Sequence, residues 1–341
     1  MSRSKSLRQI LSRPRVYPPT TRIPGRHLST APVSAADAAA SLLSSFKDKT
    51  RAVTQVLDGN QLQKLSLTLN RRALHPGLDV AARTPPDGTV VPPGYHLVYF
   101  TPCGVEDELG ADGTDVSYNA PAPFSRRMWA AGSMKWSGEL RVGDEVTEKT
   151  RLLSATAKRR RDGGEMVHVE VAKEFWGPRG LALVDERSWI FRPEVKTTAS
   201  PAAGKPLREA VIRGPSTVKD VPQDGAYPHR QLRWSPTGLF RFSALTFNAH
   251  KIHYDPAWST AVEGHPGCVV HGPINLINML DYWRDHYAAE GRRVQEIKYR
   301  AFSPIYAGET YSISAEAGDP RWKILVRKEG HTCMKGELLG E

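Results

Sequence analysis

The chain has 341 residues, 40% of them apolar, which suffices to bury a substantial core, allows two or three globular units and excludes a disordered protein. Its formal net charge of +11 points to nucleic acid only until the charge is located: residues 1–36 hold seven basic side chains and no acidic one, and without them 40 basic side chains face 36 acidic ones, so nucleic acid is not expected as the primary partner. No run approaches the roughly 18–20 uninterrupted apolar residues of a membrane span, and Cys103, Cys268 and Cys333, few and far apart, indicate neither a disulfide framework nor a zinc knuckle.

Residues 1–34 are Ser-rich, and Leu7, Ile10 and Leu11 share one helical face beside Arg3, Lys5 and Arg8. This is the composition of a mitochondrial transit peptide, with cleavage expected near residues 27–35 and delivery to the matrix; a basic tail is the plainer alternative. Ser34 with Asp37, and Asp58 with Gln61, are helix-start signals ahead of apolar runs reaching Phe46 and Leu69. Pro76-Gly77, Pro85-Pro86-Asp87-Gly88 and Pro92-Pro93-Gly94 then mark turns and a boundary near residue 90, which makes 35–90 a helical leader and loop.

Residues 91–195 read as strands at 95–101, 127–140, 144–157, 165–176 and 181–191; Val167, Val169, Val171 and Phe175 show the period-two alternation of a half-buried strand. The basic run Lys158-Arg159-Arg160-Arg161 before Asp162-Gly163-Gly164 is a solvated hairpin tip on its simplest reading. Residues 196–225 read as a linker, and 232–245 as extended. Ile274, Leu276, Ile277, Met279, Leu280, Tyr282 and Trp283 predict a buried helix with Pro273 in its first turn, where the missing N–H costs nothing. Strands follow at 294–302, 310–316, 322–328 and 332–339.

A long buried helix followed by antiparallel strands is the plan of a hotdog domain, here over 226–341. Leu140-Arg141-Val142-Gly143-Asp144-Glu145-Val146 and Ile305-Tyr306-Ala307-Gly308-Glu309-Thr310-Tyr311 share an apolar residue, a Gly-acid turn and a strand entry, a hint of repetition too short to stand alone. The expected fold is α+β: a tandem (double) hotdog, an antiparallel sheet wrapped around a long central helix, with an N-terminal copy (91–195) degenerate for want of an equally clear helix.

Thr246-Phe247-Asn248-Ala249-His250-Lys251-Ile252-His253-Tyr254-Asp255-Pro256, with Val270-His271-Gly272-Pro273, resembles the hydratase motif of the double-hotdog, MaoC-like dehydratases. Its form is similar to the branch that contains mitochondrial hydroxyacyl-thioester dehydratase type 2 and mesaconyl-C4-CoA hydratase. Residues 95–100 and Arg126-Arg127-Met128-Trp129-Ala130-Ala131-Gly132 also resemble that branch, so the likeness covers roughly 90–341. The wider family usually has Asp at the position of Asn248 and Asn at that of His250; this chain departs at both.

The chemistry can be argued without the resemblance. Reversible water addition to an enoyl thioester needs a group that takes a proton from water and returns one to the α-carbon, and a site for the developing enolate oxygen. Histidine titrates near neutrality and suits the first task, assigned to His253. Backbone N–H groups at a helix start suit the second, assigned to Gly272, which lacks a Cβ and admits close approach. Asn248 can orient water or hydroxyl but cannot exchange a proton. His250, Val270 and His271 are candidate substrate contacts; Asp255 reads as a cap. The plainest account of a single His among aromatic residues is structural, and the convergence of the two motifs weighs against it.

The expected activity is hydro-lyase: dehydration of (3R)-3-hydroxyacyl thioesters to trans-2-enoyl thioesters in mitochondrial type II fatty acid synthesis. The alternatives are hydration of a short, branched or dicarboxylic enoyl-CoA such as mesaconyl-C4-CoA, and a non-catalytic acyl-carrier or RNA-associated binding protein. A hotdog thioesterase is disfavoured, because the motif lacks a suitably placed carboxylate. No metal or separate cofactor is expected, since CoA or phosphopantetheine arrives as part of the substrate. An acidic acyl carrier protein would suit the basic surface; a homodimer stays open.

Overall fold

Eleven strands hydrogen-bond into one antiparallel sheet in the computed structural model, which describes residues 33–194, 212–223, 226–288, 291–316, 318 and 320–341. The transit-peptide reading, apart from Val33 and Ser34, and residues 196–211, 224 and 225 of the expected linker lie outside that range. In chain order the elements are α1 (Ala35–Phe46), β1 (Thr50–Val56), α2 (Gly59–Thr68), a two-stranded ribbon of β2 (Ala73–His75) and β3 (Leu78–Asp79), a 3-10 turn (Tyr95–Val98), β4 (Arg126–Trp136), β5 (Glu145–Arg159), β6 (Glu165–Gly177) and β7 (Gly180–Arg192). There follow β8 (Thr217–Gln223), β9 (Ala226–Arg233), α3 (Pro236–Leu245), α4 (Pro256–Ala261), α5 (Gly272–His286), β10 (Val294–Ala301), β11 (Thr310–Glu316), β12 (Arg321–Lys328) and β13 (His331–Gly340).

The sheet order β1-β5-β6-β7-β4-β10-β13-β12-β11-β9-β8 carries the architecture. Outward from the central β4–β10 pair, both halves run through the same chain positions, β4-β7-β6-β5-β1 on one side and β10-β13-β12-β11-β9 on the other, with β8 added at one edge. The short sequence repeat marks the same corner in both. Gly143 and Gly308 adopt φ of +87° and +83°, which favours glycine. Asp144 accepts from the Arg141 N–H and Glu309 from the Tyr306 N–H, each at 2.8 Å. Gly143 N–H donates to Leu57 O and Gly308 N–H to Trp234 O, again both at 2.8 Å. The fold is the expected double hotdog.

The halves differ where the helix belongs. After Val270 the chain enters α5, fifteen residues whose Ile274, Leu276, Ile277, Met279, Leu280, Tyr282 and Trp283 are all buried. After Val91, whose N–H donates to Leu140 O as that of Val270 does to Ile305 O, comes only the four-residue turn Tyr95–Val98. That turn packs against α5: a Cβ at Gly94 would lie 2.9 Å from Leu280 Cδ1. The degenerate copy thus lends its sheet to the core of the complete one. Its own second cluster forms where α1 covers Val167, Val169, Val171 and Phe191.

Four readings need correction. Residues 95–101 do not form a strand: Pro92 and Pro93 lack donors and Gly94 sits at φ +85°, so the run starts a 3-10 turn. Residues 232–245 are extended only to Arg233, because Ser235 accepts from the Gly238 N–H at 3.1 Å and Pro236 takes the first turn, opening α3. The leader holds the strand β1, paired with β5, whose edge position leaves Thr50, Arg51 and Thr54 exposed and removes the apolar alternation. Within the expected linker, Thr217–Gln223 pairs with β9.

Candidate active site

The motif is shaped by its departure from α3. Thr246 closes that helix, its hydroxyl donating to Phe242 O at 2.8 Å, and Phe247 turns the chain at φ +48°. Asn248 N–H donates to Ser243 O at 2.8 Å, and Asn248 Oδ1 accepts from the His250 N–H at 3.1 Å, leaving the amide NH2 as donor. A 3-10 turn, Lys251–His253, then lays His253 beneath the chain before α5. Asp255 caps α4, accepting from the Trp258 N–H at 3.0 Å.

His253 is buried, and its Nδ1 lies 2.8 Å from Val269 O. A carbonyl only accepts, so Nδ1 carries the hydrogen and Nε2 is left as the acceptor. The ring stacks on His271 at 3.7 Å between centroids and 18° between planes, and stands edge-on to His250 at 5.4 Å. His271 is held from behind by Ser243 Oγ, 2.9 Å from its Nε2. Burial, opposed by the Val269 bond and reinforced by His265, lowers the His253 pKa to about 4. Burial and then the neighbouring imidazole push His250 and His271 well below the ordinary histidine value. At neutral pH all three rings are uncharged.

Asn248, His250, His253, Val270 and Gly272 line one cavity of about 1020 Å³; His271 backs it through its stack on His253. Gly272 is the first residue of α5. The position a Cβ would take there is 3.4 Å from Trp129 Cγ of β4, van der Waals distance, so the start of α5 lies directly against the aromatic wall of the other half. That wall is basic. Arg127 and Arg187 line it, Arg187 neutralised by Asp185 at 2.6 Å, whereas the Arg127 guanidinium meets Asn119 Oδ1 at 3.2 Å and Asp115 only at 3.9 Å. Such a wall suits an anionic group. Among the described residues no cluster of His, Cys, Asp or Glu side chains is placed to hold a metal ion.

Sequence reasoning missed the contribution of the N-terminal half. Arg127 and Trp129 belong to the stretch Arg126–Gly132 that had carried only a resemblance. Asp112 had drawn no attention, yet its backbone O accepts from the Lys251 N–H at 2.8 Å and its carboxylate faces His250. The available signal was Asp112-Gly113, a turn dipeptide with no visible link to a motif more than 130 residues away.

A family model for hydroxyacyl-thioester dehydratase type 2 matches residues 94–307. The chain is 30% identical over 268 residues to a mesaconyl-C(4)-CoA hydratase of Chloroflexus aurantiacus, covering 76% of this chain and 88% of that one. It is 24% identical over 252 residues to the mitochondrial hydroxyacyl-thioester dehydratase type 2 of Schizosaccharomyces pombe, covering 69% and 80%. A MaoC-like dehydratase structure from Phytophthora capsici superposes with a TM-score of 0.58 at 15% identity over 85% of this chain and 94% of that one, and a second MaoC-like dehydratase gives 0.60 at 14% over 88% and 98%. With most of the chain matched and both halves of the fold in place, the protein belongs to the hydroxyacyl-thioester dehydratase type 2 family, hydro-lyases of acyl thioesters.

Proposed function

We propose that the chain interconverts (3R)-3-hydroxyacyl and trans-2-enoyl thioesters with His253 as the proton-transfer group, and that no metal or separate cofactor takes part. The observation that carries this reading is the buried, neutral His253 whose Nδ1 is committed to Val269 O while Nε2 stays free to accept. In hydration, Nε2 takes a proton from water as the water oxygen bonds to the β-carbon. The π electrons move toward the thioester oxygen, which the Gly272 N–H at the start of α5 stabilises. The imidazolium then returns a proton to the α-carbon and the enolate collapses. Dehydration is the reverse, and the enzyme is left unchanged. Asn248 holds the water or hydroxyl through its amide, and Val270 and His271 shape the wall beside the acyl group.

The basic segment 1–34 and the word mitochondrial in the fission-yeast relative's name support a mitochondrial location. A matrix site and a role in fatty acid synthesis on an acyl carrier protein are our reading of that location, for which the basic surface speaks. The Chloroflexus relative and the under-neutralised Arg127 favour a second reading, a short dicarboxylic enoyl-CoA whose free carboxylate the guanidinium would meet. Rates of the purified protein on crotonyl-CoA, mesaconyl-C4-CoA and a 3-hydroxyacyl carrier protein separate the two. His253→Ala should lower each measurable rate by at least about 100-fold while the protein stays folded, the scale of a positioned acid/base; unchanged turnover would overturn the assignment.

A further inference from the structure

We propose that Asp112 is a positioning residue for the reaction, holding His250 in the Nε2–H tautomer so that its Nδ1 accepts the second O–H of the reacting water. The inference rests on the assignment of His253 as the proton-transfer group. Asn248-Ala249-His250-Lys251-Ile252-His253 contains no carboxylate of its own. The loop that reaches it from the N-terminal half brings one. Asp112 Oδ1 is fully occupied, accepting from the Thr114 N–H at 2.9 Å and the Thr114 hydroxyl at 2.7 Å. Asp112 Oδ2 is buried, takes no hydrogen bond, and lies 3.5 Å from His250 Nε2. A carboxylate oxygen removed from water and left bare is unfavourable, and a ring N–H is the one kind of donor an imidazole can offer it. At 3.5 Å the contact is longer than a formed hydrogen bond, and catalytic hydrogen bonds often tighten only as the transition state is approached.

The loop is built to put that oxygen there. Asp112 O accepts from the Lys251 N–H at 2.8 Å, and Lys251 Nζ donates to Ala111 O at 2.8 Å. Gly113, at φ +81°, lets the backbones touch: a Cβ there would sit 2.1 Å from Ala249 O. Two halves of the molecule are therefore clamped at one point, and the group delivered by the clamp is a charge facing a cavity-lining imidazole. Arg127, on the same side, disfavours the His250 imidazolium, so the ring stays neutral while Asp112 selects the nitrogen that keeps the hydrogen. A neutral His250 with Nδ1 open and a neutral His253 with Nε2 open are two acceptors, which matches the two O–H bonds of one water. His253 accepts the proton that moves; His250 accepts the hydrogen bond that fixes the second O–H.

Asp112→Asn keeps the oxygen that binds Thr114 and replaces Oδ2 by an NH2 group, which would favour the wrong tautomer of His250. In the full chain it should lower kcat by about 10- to 100-fold, with KM changed less than about threefold and Tm within a few degrees of the native value. In a His250→Gln background the same change should cost no more than about twofold, because the group it acts through is gone. Native turnover in Asp112→Asn, or an equal loss in both backgrounds, would overturn the proposal and return Asp112 to a role in loop structure. If Asp112→Asn does not fold, the imidazole 15N spectrum of the native protein decides: a hydrogen on His250 Nε2 supports the proposal, and one on Nδ1 overturns it. Loss of activity in His253→Ala together with an additive cycle would sink this inference alone, whereas full activity in His253→Ala would sink the reading beneath it.

Discussion

Three neutral imidazoles packed within one site give the protein a pH dependence that a single exposed histidine would not. Because burial holds His253 at about 4 and His250 and His271 well below their ordinary value, His253 remains an unprotonated base across the neutral range. The acid limb of kcat/KM should therefore lie well below 6.5, and a limb near 6.5 would mean that the ring is more hydrated than its burial implies. The same groups act on stability. In the unfolded chain they bind protons below about 6.5, but in the folded chain only at lower pH. Unfolding thus takes up protons in that window, and stability, fully present above it, is lost as pH falls toward the folded values. Urea midpoints measured between pH 7 and 4.5 should fall more steeply in the native protein than in a His271→Asn variant. Asn248 poses a different question, since its oxygen already serves the His250 N–H. Asn248→Asp keeps that acceptor but loses the amide donor and adds a charge that would raise the His253 pKa. Activity within about tenfold of native would assign Asn248 a replaceable orienting role, Asn248→Leu then losing on the order of 100-fold. Rescue of the Asp variant at high pH would identify the charge on His253 as the cause of any larger loss.

At the level of elements, what could be read from the chain was what local chemistry encodes. The strand at 165–176 was visible in its alternation, and α5 in its continuous apolar run with Pro273 at the start. Strand β1 was not, because an edge strand with Thr50, Arg51, Thr54 and even Val56 exposed has no apolar period to show. The 3-10 turn after Pro93 was mistaken for a strand because Tyr95, Leu97, Val98 and Tyr99 are buried for a tertiary reason, the contact with α5. His253 and Asn248 were legible because their motif is contiguous; Asp112, Arg127 and Trp129 were not, since nothing local announces a partner more than 100 residues away. The contact at Gly94 can be tested. A Cβ there meets Leu280 at 2.9 Å and φ is +85°, whereas Gly163, at φ +82°, has nothing within 4 Å of its Cβ position. Gly163→Ala should cost the roughly 1–2 kcal/mol of left-handed backbone alone. Gly94→Ala should cost about 1–3 kcal/mol more, because the turn must also move off α5. Equal urea midpoints for the two variants would show that the turn does not bear on the helix.

Across the whole molecule, the basic hairpin between β5 and β6 turns out to be nearer the chemistry than a solvated tip need be. Lys158 lines the same cavity as His253, and the charges of Arg160 and Arg126 act on Arg192, another lining residue, whose buried Nε has no partner. The exposed Arg160 pairs with Asp162, but the exposed Lys158, Arg159 and Arg161 leave a positive excess on the hairpin that reaches the cavity through Lys158. An acidic carrier protein presenting a phosphopantetheine arm would meet this field before its acyl group met His253, and complementary charge of that kind speeds encounter more than it strengthens the final complex. Reversing Lys158, Arg159 and Arg161 to Glu should then lower kcat/KM for a carrier-bound substrate by about tenfold or more at low salt, with a much smaller change for the CoA thioester, and added salt should shrink the difference as the Debye length falls to about 8 Å. The CoA thioester carries its own phosphates, so equal losses for both substrates would place the hairpin against the nucleotide instead. No loss for either would make the run a solvated turn whose nearness to the cavity has no kinetic consequence.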